Sequence, residues 1–199
     1  LSFSISLIKI IKKSFWEEKM KRKVIIYISM SLDGYIADKN GSVDWLAEQS
    51  STQYDYGYSA FLKTIDTILM GKKTYDQIIT ELSAHTWPYA GKKCYVFTHK
   101  KLQNTNQVTF CNENICDFVS NLKKQKEEHI WVCGGAVLAH SLIKNDSIDQ
   151  YHIFVMPILL GGGISLFQGN IFPKKLHLLS VKKHNDIVEM VYQKKDTKR

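Results

Sequence analysis

A chain of 199 residues and 23.0 kDa with 44% hydrophobic and 12% aromatic residues can bury a sizeable core and fits one domain better than two. Its formal charge of +8 sits at the ends: residues 1–23 carry seven Lys/Arg against Glu17 and Glu18, residues 194–199 carry four bases against Asp196, and residues 24–193 hold 16 of each sign. A near-neutral body argues against a nucleic-acid binder, which concentrates basic charge on its folded surface, and no stretch reaches the ~18 to 20 apolar residues of a membrane span.

The chain opens with "LSFSISLIKIIKKSFWEEKM", whose first Met is Met20. No charge precedes the apolar part, Lys9 interrupts it and no small-residue cleavage site follows, so it is not a signal peptide. Leu7, Ile8, Ile11 and Phe15 would share one face of a surface helix; alternatively, residues 1–19 are a leader that is not part of the native protein. The expected organisation is an extension over 1–22 and a single domain over 23–199.

"KVIIYISMSLDGYIA" (23–37) reads as a buried strand with a turn at Asp33-Gly34, and "NGSVDW" (40–45) as loop. A helical pattern runs from Thr52 through Tyr56, Ser59, Ala60 and Lys63; "DTILM" (66–70) returns to strand. In "GKKTYDQIITEL" (71–82), Tyr75, Ile78, Ile79 and Leu82 recur at helical spacing. "KKCYVFTHK" (92–100) is strand into loop, and "QVTF" (107–110) a short strand. "NENICDFVSNLKKQK" (112–126) opens with an Asx cap and stripes Ile115, Phe118, Val119 and Leu122 along one helix face. "HIWVC", two glycines and a helix from Ala136 to Lys144 follow, with Asn145 placed to end it. A long strand over 148–160 runs into "GGG", and "LHLLSVKKH" and "DIVEMVYQKK" alternate like a closing hairpin. The pattern predicts a three-layer α/β/α domain with a mixed, mostly parallel sheet and an antiparallel C-terminal end. Cys94, Cys111, Cys116 and Cys133 form no CxxC and no zinc spacing. Cys94 and Cys133 sit in apolar runs, which fits reduced core thiols in the cytosol, and no metal site is expected.

Three strand-to-helix or strand-to-loop joins carry groups suited to phosphate. Gly134-Gly135 offers a turn without Cβ atoms at the start of a helix, whose free N–H groups and dipole favour an anion. Gly71-Lys72-Lys73-Thr74 mimics the end of a Walker A loop, but Asp66 stands where that motif needs glycine. Two lysines in a first helical turn oppose the dipole, and an anion between them would reverse the penalty. Thr98-His99-Lys100 places a hydroxyl, an imidazole and an ammonium in succession. Ligands of open α/β sheets sit at such carboxyl ends.

"ILMGKKTYDQI", "CYVFTHK" and "IWVCGGAVLAHSLI" together resemble the dihydrofolate reductase superfamily. "SMSLDGYIA", "NGSVDWL" and "PILLGGG" resemble its branch containing the reductase domain of riboflavin biosynthesis, the C-terminal domain of the bifunctional deaminase-reductase. The likeness runs from about Lys23 to about Gln193. It implies an NADPH-dependent reductase, cytoplasmic and homodimeric, acting on a small molecule. Gly71, Lys72, Lys73 and Thr74 would meet the adenosine side and pyrophosphate; Thr98, His99 and Lys100 the 2′-phosphate; Gly134, Gly135 and Ala136 the pyrophosphate; and Ala37, Ser42 and Trp45 the nicotinamide. Asp33, Asp55, Gly161 and Gly162 would face the substrate, with Asp33 handling a proton or simply making a turn.

Two departures from the family stand out. Ser50 and Ser51 stand near the place where dihydrofolate reductases put the pterin-binding carboxylate, and Asp55 comes later. Arginines that would hold a ribose phosphate are missing, Arg22 and Arg199 being the chain's only two. Alternatives are therefore dihydrofolate reductase activity, a non-catalytic NADPH-binding module, and a membrane-surface or nucleic-acid protein using its basic ends.

Overall fold

The computed structural model describes residues 21–49, 55–169 and 171–195, without the side chains of 47–49. The amphipathic reading of residues 7–15 and the remarks on Ser50, Ser51 and Thr52 lie outside these residues. Eight strands form one sheet in the order β5-β4-β3-β6-β1-β7-β10-β9. They are β1 (Val24–Ser31), β3 (Ile65–Gly71), β4 (Lys93–Phe97), β5 (Thr109–Cys111), β6 (His129–Gly134), β7 (Gln150–Met156), β9 (Leu176–His184) and β10 (Ile187–Lys194). The six from β5 to β7 are mutually parallel; β10 is antiparallel to β7 and to β9. A ribbon of β2 (Tyr35–Ala37) and β8 (Ile164–Ser165) lies apart.

Helices cover both faces. On one, α1 (Tyr58–Lys63) and α2 (Lys72–Gln77, continuing as a π-helical turn over Ile78–Leu82) bury Phe61, Tyr75 and Ile78 against Ile25, Ile68 and Trp131. On the other, α3 (Ile115–Leu122) and α4 (Ala136–Lys144) bury Leu122, Leu138 and Leu142 against Ile26, Leu69 and Ile130. Strand alternation sends Ile25 to one layer and Ile26 to the other. This is the expected three-layer fold.

Element limits differ from the sequence reading for local reasons. The first strand stops at Ser31, because Ser31 and Gly34 close a turn (Gly34 N to Ser31 O, 2.9 Å) and the chain restarts as β2. The helix expected from Thr52 begins at Tyr58 among the described residues: the Asp55 carboxylate accepts from the N–H groups of Gly57 (2.8 Å) and Ser59 (3.1 Å), an Asx-type entry. In α2, the Thr80 hydroxyl donates to the Asp76 carbonyl four residues back (2.9 Å), competing for the bond that regular α-helix would use, and the helix widens there. Asn114 supplies the cap of α3 through Cys116 N (2.8 Å) and Asp117 N (3.3 Å). The long strand ends at Met156, before Pro157, which has no N–H for a ladder.

Arg22 is 2% exposed at the sheet's amino-terminal edge. It donates to Glu128 O (2.8 Å), Leu122 O (2.9 Å), Asp66 Oδ1 (2.5 Å) and Thr67 Oγ1 (2.6 Å). The one described arginine therefore ties β3 to the end of α3, on the edge away from the glycine turns. Among the described residues no helix is long and apolar enough to cross a membrane.

Candidate functional site

The sheet order settles whether the three phosphate-suited joins meet. β4, β3 and β6 are neighbours, so Thr98, Gly71 and Gly134 end adjacent parallel strands, with Gly71 opposite Phe97 and Met70 opposite Gly134. Contact is closest between the glycines. A Cβ on Gly135 would lie 3.2 Å from both Cα and N of Gly71, and one on Gly134 would lie 3.1 Å from Thr74 Cγ2. Gly135 also adopts φ 92°, ψ 101°, where only glycine is comfortable. Neither α2 nor α4 has a side-chain cap, so first-turn N–H groups of both helices remain for a ligand.

The basic groups are more selective than the sequence suggested. Lys72 does not flank the join as a free cation: it pairs with Asp76 at 2.5 Å and lies 5.8 Å from the Tyr75 ring centre. Lys73 is exposed and available. At the end of β4, Thr98 is half-buried and its hydroxyl accepts from Lys100 N (3.1 Å), turning His99 and Lys100 outward into solvent.

A crevice adjoins this cradle. β1 pairs with β6 only from Val24 to Ile26, whereas its pairing with β7 runs to Ser31. The two strands then part. The Trp131 indole N–H donates to the Tyr27 carbonyl (3.2 Å), ending the ladder there, and a register shift on β6 leaves Cys133 between the paired residues Val132 and Gly134. As a result Tyr27, Ile28, Ser29 and Met30 are only half-buried although they belong to a central strand. Strand order also reverses here, since the chain leaves β1 for β3 on one side and crosses from β6 to β7 on the other; this is the switch point where open sheets bind ligands.

The crevice wall is aromatic and neutral. Tyr27 stacks on Phe61 (4.2 Å between centres) and contacts Tyr58, Trp131, His152 and Phe154. Burial pushes Tyr58 up to about 12 and Cys133 up to about 12, and burial, then the Glu189 charge, raises Tyr27; these groups keep their protons at neutral pH. The His152 imidazole is pulled down to about 4 by burial. Its folded value lies below the ~6.5 of an unfolded chain, so protons bind the unfolded state first and stability drops as pH falls from about 6.5 to about 4. His152→Gln should remove up to about 3 kcal/mol of that pH dependence in urea melts; an unchanged slope would contradict the buried, neutral assignment.

The remaining expected residues divide into those that line the crevice mouth and those with structural tasks. Asp33 is placed at the end of β1, but as a clamp: its carboxylate accepts from Ser31 Oγ (2.6 Å), Gly161 N (2.8 Å) and Leu160 N (3.2 Å). The Ser31 hydroxyl is the main reason its pKa is lowered, which favours the ionised form at the mouth. Asp55 is also held below the usual range, chiefly by Ser59, and its carboxylate accepts from the N–H groups of Gly57 and Ser59 at the entry to α1. Gly162 and Gly163 pack on the β2 ribbon, where a Cβ would meet Lys39 Cε at 2.8 Å and strike the Ala37 carbonyl respectively. Ala37 is thus a buried floor, and the Ser42 hydroxyl is used by Asp44 N (3.1 Å). Trp45 is 8% exposed beside Phe154 and Met156, and its indole N–H has no acceptor among the described residues, a donor left for water or ligand.

Sequence reasoning missed Tyr27, Ser29 and His152, and read Cys133 only as core. Nothing in their local pattern marks them; the strand splay that exposes them is a property of pairing.

Over residues 22–189 the chain matches the RibD C-terminal domain family. It is 40% identical over 174 residues to the uncharacterized protein YwjB of Bacillus subtilis (87% of this chain, 98% of that one) and 36% identical over 156 residues to YyaP of the same organism (74% and 81%). Among solved structures it superposes on one described as a "Putative riboflavin biosynthesis protein" from Shewanella sp. PV-4, with TM-score 0.77, 28% identity and coverage of 87% and 99%. It also matches the Thermotoga maritima diaminohydroxyphosphoribosylaminopyrimidine deaminase/5-amino-6-(5-phosphoribosylamino)uracil reductase, with TM-score 0.66, 15% identity and coverage of 89% of this chain and 58% of that one. That last likeness concerns the fold alone.

Proposed function

We propose, from the premise that this chain belongs to the RibD C-terminal domain family, that it is an NADPH-dependent reductase transferring hydride to a planar heterocycle or imine. The observation that carries this reading is the side-by-side placement of the β4, β3 and β6 joins, with two uncapped helix starts in glycine contact beside an aromatic crevice. The residues fit the cofactor. Free N–H groups of α2 and α4 would hold the pyrophosphate, Thr74 and Lys73 would support it, and Thr98, His99 and Lys100 would meet the 2′-phosphate. Ala37, Ser42 and Trp45 mark the nicotinamide side.

When bound, the cofactor supplies the hydride. The chain's own share is placement: the cradle fixes the phosphates, and the aromatic wall around Tyr27 holds a flat ring at the strand splay, within reach of the donor. Asp33, ionised and bound to Leu160 and Gly161, orders the mouth. In this reading the balancing proton comes from water. A cytoplasmic homodimer completes the proposal, supported by Leu178, Leu179 and Val181 exposed on the edge strand β9.

The test is a pair of titrations with NADPH and NADH. Lys100→Glu should cut the preference for NADPH by about tenfold, the loss of one charge contact at a phosphate, while NADH binding stays as it is. An unaltered preference would remove the 2′-phosphate assignment. Tight NADPH binding without consumption across pteridines and pyrimidines would favour the non-catalytic module.

A further inference from the structure

Charge is divided sharply along the carboxyl edge of the sheet. The joins after β3 and β4 carry Lys72, Lys73, His99, Lys100 and Lys101. By contrast, the described segments around the crevice hold no lysine or arginine: none occurs in residues 24–38, 40–49, 55–62, 127–143, 145–169 or 171–173. These ranges contain β1, β2, the turn over 55–57 and most of α1 itself, β6, nearly all of α4, β7 and the glycine run. The same ranges include Asp33, Asp44 and Asp55. Side-chain exposure follows suit: Val137, Leu32 and Leu159, which follow the adjacent strands β6, β1 and β7, are 78%, 64% and 69% exposed.

The bases nearest this region lie at its margin. Lys39 lies along Gly162 on the β2 turn. On β9, His184 Nε2 stands 2.8 Å and Lys182 Nζ 3.8 Å from Glu189 Oε2, whose residue is 7% exposed. His152, beside Tyr27, is a neutral imidazole. What the wall offers is ring faces, hydroxyls and a thiol.

We infer that the crevice between β1 and β6 takes a planar substrate bearing no negative charge, an uncharged or cationic ring system in place of a phosphorylated or carboxylated one. The inference rests on the reductase reading for its role in turnover, but on the walls alone for its selectivity. An anion entering the crevice would lose its water with only Lys39 at the margin to offset the loss, which is costly, and would meet the field of Glu189 and Asp55. Neutral rings lose little and gain stacking on Tyr27 and its neighbours.

Matched probes decide it. Wild-type protein is titrated at neutral pH and low salt with pterin against pterin-6-carboxylate, and with riboflavin against its 5′-phosphate, each followed by quenching of protein fluorescence. The neutral member of each pair is expected to bind at least about tenfold more tightly. Equal or tighter binding of the anions overturns the inference, and so does saturation by neither member of either pair. NADPH titrated in parallel reads the other question. Failure of NADPH to bind with the neutral preference intact removes the reductase reading alone, whereas NADPH binding with an anion preference removes the crevice assignment alone.

Discussion

Gly135→Val is expected to weaken NADPH binding by at least about a hundredfold, close to 3 kcal/mol, while the far-ultraviolet dichroism of the fold survives. Two effects combine. At φ 92° a β-branched residue is strained by roughly 1–3 kcal/mol, and its Cβ would sit 3.2 Å from Gly71 Cα and N, with two methyl groups still to place. The β3 and β6 joins are therefore wedged apart where both helix starts present their N–H groups. The damage stays local, because the two large core clusters lie along the strands behind the joins. Lys73→Ala makes the useful companion. It removes an exposed cation without touching the backbone, so a loss of only a few-fold is expected from it, in keeping with the worth of a surface charge. Fluorescence titration of both variants beside the wild type checks the pair. Wild-type affinity in Gly135→Val would eliminate the cradle as the cofactor site.

Arg22→Met should cost about 3–5 kcal/mol of stability, the usual penalty for removing one partner of a buried charge network. Its guanidinium satisfies the carbonyls of Leu122 and Glu128, the Thr67 hydroxyl and the Asp66 carboxylate. Methionine fills much of the volume but leaves those acceptors without a donor, and an unsatisfied buried acceptor costs more than the bond contributed. For a chain of this size the loss corresponds to a fall in melting temperature of roughly 6–20 °C. NADPH affinity measured below the transition should be unchanged, since Arg22 sits at the edge opposite the glycine turns. Urea midpoints giving a loss below about 1 kcal/mol would show that the network is not stabilising, and a selective loss of NADPH affinity would move Arg22 into the site.

The joins were legible in the sequence because each is a local event. Gly134-Gly135 between an apolar run and a helical stripe specifies a bare turn wherever the rest of the chain lies, and Gly71 and Thr98 end their strands for similarly local reasons. Asp33 and Asp55 were legible as residues but not as roles. Carboxylates near a turn look alike in sequence, and only the distances to Ser31 and Gly161 in one case, and to Gly57 and Ser59 in the other, show them occupied.

What the sequence determined alone was the alternation of strand and helix, the antiparallel hairpin at the end, the reduced cysteines' apolar settings and the three phosphate-suited termini, all consequences of periodicity and turn chemistry within a few residues. Only the tertiary structure decided that those termini stand on neighbouring strands, that Lys72 belongs to Asp76, and that β1 parts from β6 after Ile26 to expose Tyr27 through Met30. Pairing register joins residues about a hundred positions apart, and no local pattern encodes which strand will lie beside which, or where two of them will separate.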